Sequence, residues 1–287
     1  MPQIGTAEIE SARNGEDHMA TDNRKELGGT FDTAVSLYEK MRPGYVDELY
    51  KAIFDYVSIN ENSSVVEVGS GSGQATLPIL KTGCALTAVE YGENFSTLLK
   101  DKFKEFSKFK VLTGKFEDVE LEKDTYDLVF SATAFHWVPE EIGYPKVYSL
   151  LKEGGAFARF ANRPRNSKND PELAQEIDAI YNDHYNKYYG VKPGTKAWFT
   201  EDSAREISQI PRKYGFTDIT YHLFHRERVF TSKEYIQLLG TYSDHIAIEE
   251  SIRKVFFSRI EDAIDRHGGM ITISDTLDLE LARKPRR

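Results

Sequence analysis

From Phe31 the apolar positions recur at helical spacing through Ala34, Val35 and Tyr38, and the pattern stops at "MRPGY", where Pro43 disfavours helix at Arg42. A second helix is predicted over 46–56, with Leu49, Tyr50, Ile53 and Phe54 on one face. The period then changes. Short apolar runs predict strands at 64–68, 85–90, 109–113, 126–131 and 156–161. Between them, helical patterns run from the glycines after residue 68 to about Lys81, over 94–106, and over 144–151 up to Gly154-Gly155. Strands alternating with helices imply a parallel sheet covered on both faces. Right-handed crossovers leave few topologies for it.

After Asn162 the rhythm breaks. The stretch "RPRNSKNDPELAQEIDAIYNDHYNKYYG" is polar and then helical, and it is too long for a simple connection. A helix over 202–214 and a long strand over 218–230 follow, then helices over 232–240 and 245–267 and a last strand over 270–281. Two late strands separated by helices predict an antiparallel edge pair. Residues 1–27 carry no period and read as a flexible leader, with one domain over 28–287 and helical caps inserted at about 163–200 and 231–267.

Composition narrows the partners. A formal charge of −9 argues against non-specific nucleic-acid binding, which needs a basic footprint. The single cysteine, Cys84, excludes an internal disulfide framework and a thiolate cluster, and no metal is expected. No apolar stretch approaches the roughly 20 residues of a membrane span, and there is no signal-peptide core. The expectation is a soluble cytoplasmic protein, a monomer or homodimer, without membrane or nucleic-acid partners.

The chemistry starts at "VEVGSGSGQ". One glycine would satisfy a strand-to-helix turn; Gly69, Gly71 and Gly73 are more than a turn requires and let a ligand lie against bare backbone. A dinucleotide loop would continue to a glycine or alanine where this chain has Gln74, and a phosphate-binding P-loop would need a Gly-Lys-Ser/Thr ending. The order apolar, apolar, Glu, apolar, Gly-x-Gly-x-Gly resembles motif I of the class I S-adenosylmethionine (SAM) methyltransferases. "FDTAVSLYEKMRPGY", "SATAFHWVP", "LLKEGGAFARF" and the C-terminal "FTSKEYIQLLGTYSDHIAI" resemble the trans-aconitate methyltransferase-like subgroup, over roughly 28–284.

That resemblance implies a Rossmann-like α/β fold, a seven-stranded mostly parallel sheet with one antiparallel strand and helical caps. It also implies SAM as cofactor, with S-adenosylhomocysteine (SAH) as product, and a small-molecule methyl acceptor, a carboxylic acid among the options. Carried onto this chain, Gly69, Ser70, Gly71 and Gly73 form the cradle, and Glu67 braces it or holds the cofactor's amino group. Glu90, with Tyr91 beside it, receives the ribose hydroxyls; Asp118, flanked by Phe116 and Glu117, reads the adenine; and Ser131 joins the cofactor set. Arg42 would pair the methionine carboxylate, with Tyr38 one turn away on the same side.

His136 is placed at the C-terminal end of the fourth strand, where ligands of open α/β sheets bind, and is the candidate for orienting or deprotonating the acceptor. The alternative is a packed histidine. Phe135 and Trp137 are expected to wall the pocket or to fill the core. Arg159, Arg163 and Arg165, with Tyr242 and His245 from the later cap, are the candidate acceptor site. Two further readings stay open: a non-catalytic SAM-binding sensor of the same fold, and a nicotinamide dehydrogenase, which Gln74 disfavours.

Overall fold

The computed structural model describes residues 35–194 and 197–286. The expected leader, together with Phe31 and Ala34, lies outside those residues. Seven strands form one sheet: β1 (Ser64–Val68), β2 (Ala85–Glu90), β3 (Phe109–Thr113), β4 (Tyr126–Ala132), β5 (Leu151–Asn166), β6 (Thr217–Thr231) and β7 (Met270–Arg283). Their order is β3-β2-β1-β4-β5-β7-β6. The first five pair in parallel, with Val65 opposite both Leu86 and Leu128, and Phe130 opposite Ala158. β7 is reversed. Near the start of β5 the Gly154 N–H donates to Lys284 O (2.9 Å), whereas just past its end Ser167 N–H donates to Thr272 O (2.9 Å). The expected late antiparallel pair is β6 with β7, where Thr217 Oγ1 donates to Arg283 O (3.5 Å) and Ser232 N–H to Gly269 O (3.2 Å), and β7 lies between β5 and β6. β1 is central and buried from Val65 to Val68, which is why its sequence runs apolar without alternation.

Among the described residues the α-helices of four residues or more are α1 (Val35–Met41), α2 (Asp47–Tyr56), α3 (Thr76–Leu80), α4 (Glu93–Lys102), α5 (Glu140–Leu150), α6 (Pro171–Tyr181), α7 (Glu201–Ser208), α8 (Ser232–Leu239), α9 (Ser243–Ile246) and α10 (Glu250–Arg266). Local signals set several ends. Asp170 caps α6 through Leu173 N–H with Pro171 in the first turn, and Thr231 with Glu234 forms a reciprocal capping box on α8. Several boundaries differ from expectation: the 94–106 helix stops at Lys102 and the 156–161 strand extends over Leu151–Asn166. Gly154-Gly155 does not end a helix, because β5 begins directly after α5 and the pair sits in a bulge between the Tyr126–Leu151 and Leu128–Ala156 partners. The predicted 202–214 helix stops at Ser208 and continues as a 3-10 turn, Ile210–Tyr214, that contains Pro211. The predicted 245–267 helix is two, α9 and α10.

Two compact units share the chain. The sheet unit comprises Pro43–Asn162, Ala204–Phe224 and the chain from Leu277 on. Its core joins Leu49 and Ile53 of α2 to Val65, Leu86, Leu128, Phe130, Phe160 and Leu279 of the strands. The helical unit comprises the described chain up to Arg42, Arg163–Ser203 and His225–Thr276, so both expected cap stretches fall in it together with α1. Leu173 and Ile177 of α6, Leu238 and Leu239 of α8 and Phe256, Ile260 and Ile264 of α10 form its core. β5, β6 and β7 each begin in one unit and end in the other.

Candidate functional site

The glycine segment after β1 folds as the sequence requires. Gly69, Gly71 and Gly73 have φ of 72°, 54° and 81°, a region that side chains disfavour. Two of them also accommodate close neighbours. A Cβ on Gly69 would lie 2.4 Å from the Ala134 Cβ, and one on Gly73 would lie 2.6 Å from the Phe103 ring. Gly71 instead offers its N–H: it donates to Glu90 Oε2 (2.7 Å), while Gly92 N–H donates to Oε1 (2.9 Å). Glu90, expected to receive the ribose hydroxyls, thus also ties the cradle to the end of β2. A carboxylate oxygen has two lone pairs, so the two roles are compatible.

Glu67 is fully buried in β1. Thr76 Oγ1 donates to its Oε2 (2.6 Å), and its Oε1 has no hydrogen-bond partner among the described residues. Burial pushes the carboxyl up to about 8; the Thr76 hydrogen bond and nearby Ser70 pull it down by less, and Glu90 adds to the rise. The buried Ser70 hydroxyl is also without a well-formed partner among the described residues. Polar atoms buried this way are costly unless something engages them. Two such atoms beside a side-chain-free cradle fit a ligand bearing both donors and acceptors, as the aminocarboxypropyl end of SAM does.

The ends of β4 and β5 complete this side of the sheet. Ser131 is buried and donates to Val68 O (2.8 Å), which clamps β4 to β1. Thr133 follows with φ of 53°; its N–H donates to Phe160 O (2.7 Å), and its hydroxyl meets Tyr45 Oη (2.7 Å) and Asn162 N–H (3.3 Å). Tyr45 and Thr133 escaped the sequence reading. The signal that could have marked Tyr45 is its place in "MRPGY"; Thr133 has none, because φ is not legible in a threonine. Phe135 belongs to the core, edge-on to Tyr144 (5.1 Å) and tilted on Phe157 (4.9 Å), and leaves the pocket-wall set. His136 and Trp137 are half-buried with ring centroids 4.9 Å apart, on the 3-10 turn Phe135–Trp137.

After β3, Phe116 is buried and carries Lys146 Nζ at 5.0 Å from its ring. Lys146 also donates to Glu117 O (3.2 Å) and Val119 O (2.6 Å), which fixes the loop's backbone. Burial lowers the Lys146 pKa, opposed by Asp118 and Glu117. Glu117 is half-buried, Asp118 is exposed, and Tyr91 is exposed beneath Lys115.

The arginines separate. Arg159 is largely but not fully buried, lies 3.6 Å from Glu280 and donates to Tyr144 Oη (3.3 Å). Burial pulls its pKa down, but Glu280, Tyr144 and Asp278 outweigh that and hold it above its usual value. Its charge is matched inside the sheet unit by Glu280. In the helical unit Arg163 lies over the Phe199 ring (4.8 Å), and Arg165 Nε donates to Ala197 O (2.9 Å). Arg42 also sits in this unit, over Tyr242 (4.1 Å) and Tyr38 (4.9 Å), donating to Thr241 O (3.0 Å). His245, expected at the acceptor, is buried: Tyr181 Oη lies 2.9 Å from Nε2 and Asp244 Oδ1 lies 2.8 Å from Nδ1, among Tyr185, Phe256 and Phe257. Among the described residues no group of His, Cys, Asp and Glu could hold a metal ion, and no helix is long and apolar enough to cross a membrane.

A seven-stranded sheet with one reversed strand, and a glycine cradle tied to acids on β1 and β2, define a SAM-dependent methyltransferase of the class I fold. Residues 66–158, which include the cradle and the β4 end, match the methyltransferase domain family. An uncharacterised methyltransferase of Schizosaccharomyces pombe is 25% identical over 252 residues, covering 83% of this chain and 93% of that protein. Among solved structures, a proposed type II methyltransferase of Anaeromyxobacter dehalogenans aligns with a TM-score of 0.60 at 17% identity, over 86% of this chain and 99% of that one. Phosphoethanolamine N-methyltransferase 2 of Haemonchus contortus, solved with phosphomonomethylethanolamine and SAH, aligns with a TM-score of 0.52 at 14% identity, over 89% of this chain and 58% of that one. These structural likenesses carry the fold.

Proposed function

We propose that the protein methylates a small molecule, with a carboxylic acid as the acceptor class. The observation that carries the cofactor half is the cradle: three left-handed glycines flanked by buried Glu67 and Ser70, each with a polar atom lacking a partner among the described residues. Gly69 to Gly73 would receive the cofactor backbone-first, Glu67 and Ser70 its amino-acid end, Glu90 its ribose, and Phe116 with Glu117 or Asp118 its adenine. When bound, SAM supplies an electrophilic methyl on a sulfonium. Attack on it is an in-line displacement, so the residues' task is alignment, which contributes several kcal/mol. A carboxylate acceptor needs no base. An O–H or N–H acceptor would, and half-buried His136 at the end of β4 is the group for it.

The charge of −9 disfavours a nucleic-acid acceptor. Arg159 meets Glu280 and Arg165 donates to the Ala197 carbonyl, so the carboxylate class takes its support from the sequence resemblance. The deciding experiment is mass spectrometry of an acceptor library incubated with methyl-labelled SAM. Label on small acids is expected. Label on amines or phenols alone replaces the carboxylate class, and label confined to protein or RNA overturns the small-molecule reading.

A further inference from the structure

Among the described residues three non-glycines have positive φ: Asp124, Thr133 and Asp218. Aspartate tolerates that region through local hydrogen bonding, but a β-branched residue does not, and such a conformation persists only where its surroundings over-determine it. At Thr133 they do. The N–H is bonded to Phe160 O, and the hydroxyl is shared between Tyr45 Oη and Asn162 N–H. Tyr45 is itself seated edge-on against Phe160 at 4.8 Å. Phe160 in turn stacks on Phe130, the residue of β4 opposite Glu67 of β1. The strained residue is therefore anchored to α2's leading segment, to β5 and to the central strands.

What this anchoring controls is the next residue. Ala134 lies so close to Gly69 that a Cβ there would be 2.4 Å from its own. His136 and Trp137 follow within one turn, with Trp137 N–H donating to Ala134 O (3.0 Å). We infer that Thr133 is a positioning residue, its hydroxyl latched by Tyr45, that holds the Ala134–Trp137 turn against the glycine cradle and so sets the geometry in which the cofactor binds. The inference rests on the cradle being the SAM site. A purely structural threonine would have no reason to keep a left-handed backbone that glycine adopts without strain.

The test compares wild type with Thr133→Gly, Thr133→Ser and Tyr45→Phe, measuring SAH affinity by calorimetry well below the melting temperature and thermal unfolding in parallel. Thr133→Gly is expected to keep a near-wild-type melting temperature, because the backbone strain is relieved, while SAH binding weakens by roughly tenfold or more as the turn loosens. Tyr45→Phe should weaken binding in the same direction. Thr133→Ser, which keeps the hydroxyl, should restore affinity to within about threefold of wild type. Wild-type SAH affinity in both Thr133→Gly and Tyr45→Phe overturns the latch while leaving the donor assignment intact. If Thr133→Gly fails to fold, Tyr45→Phe decides: unchanged affinity overturns the latch, and a loss supports it. Absence of SAH binding by folded wild-type protein overturns the donor assignment and the latch with it.

Discussion

Glu67 shows how one side chain ties stability to function. Its carboxyl is held near 8 by burial, against an ordinary value of 4.5, so the folded protein keeps a proton that the unfolded chain releases. Its stabilising share is complete below about pH 4.5 and is lost as pH rises through 8, at about 1.4 kcal/mol per pH unit between the two. Glu67→Gln should therefore gain stability relative to wild type progressively from pH 5 to 8, while weakening SAH binding; melting curves across that range and calorimetry check both. A constant difference across pH would show that the carboxyl titrates normally. Gly69→Ala makes the opposite trade. Its Cβ would collide with Ala134 at a left-handed φ, so a loss of about 1–3 kcal/mol in denaturant titration is expected. Gly69, Gly71 and Gly73 were legible because their positive φ favours glycine, whereas Glu90 at the ribose was assigned by resemblance. Asp118 at the adenine was inferred by resemblance, and it is exposed here, with Glu117 the better buried of the two.

At the scale of elements, a strand end does not say which way a side chain points. Ser131 lies near the C-terminal end of β4, the edge where ligands bind, and Arg159 is its partner across in β5. Arg159 meets Glu280 because β7 enters next to β5, an adjacency set by strand order across more than a hundred residues. Ser131 meets Val68 O because β4 lies beside β1. Arg159→Met should then cost about 3–5 kcal/mol by removing the cation against which buried Glu280 sits. In an assay with whichever acceptor is found, KM should stay unchanged; a selective rise in KM with stability intact would place Arg159 at the acceptor site. Local signals fared better for helix starts. The Thr231–Glu234 capping box sits where the 232–240 prediction begins, and Thr231→Ala should destabilise α8 by about 1 kcal/mol, read by urea unfolding.

For the whole molecule, binding energy must appear as stability. SAH at a hundred times its dissociation constant should add about 2.7 kcal/mol and raise the melting temperature, with a concentration dependence that calorimetry can follow; no shift at saturating SAH would remove the donor assignment. By itself the sequence determined the alternation of strands and helices, the sheet class and the glycine cradle, because apolar period and glycine spacing are local and are written directly in residue type, while the methyl donor followed from the resemblance of that cradle to motif I. Only the tertiary structure decided the rest. It divided the chain into two compact units, since that division depends on which distant segments pack together. It set Arg159 beside Glu280 and Phe135 against Phe157, buried His245 between Tyr181 and Asp244, and brought Tyr45 to the strained Thr133. The three alternating glycines announced themselves as a cradle; the threonine that holds the opposite wall became visible only when residues 88 positions apart met at 2.7 Å.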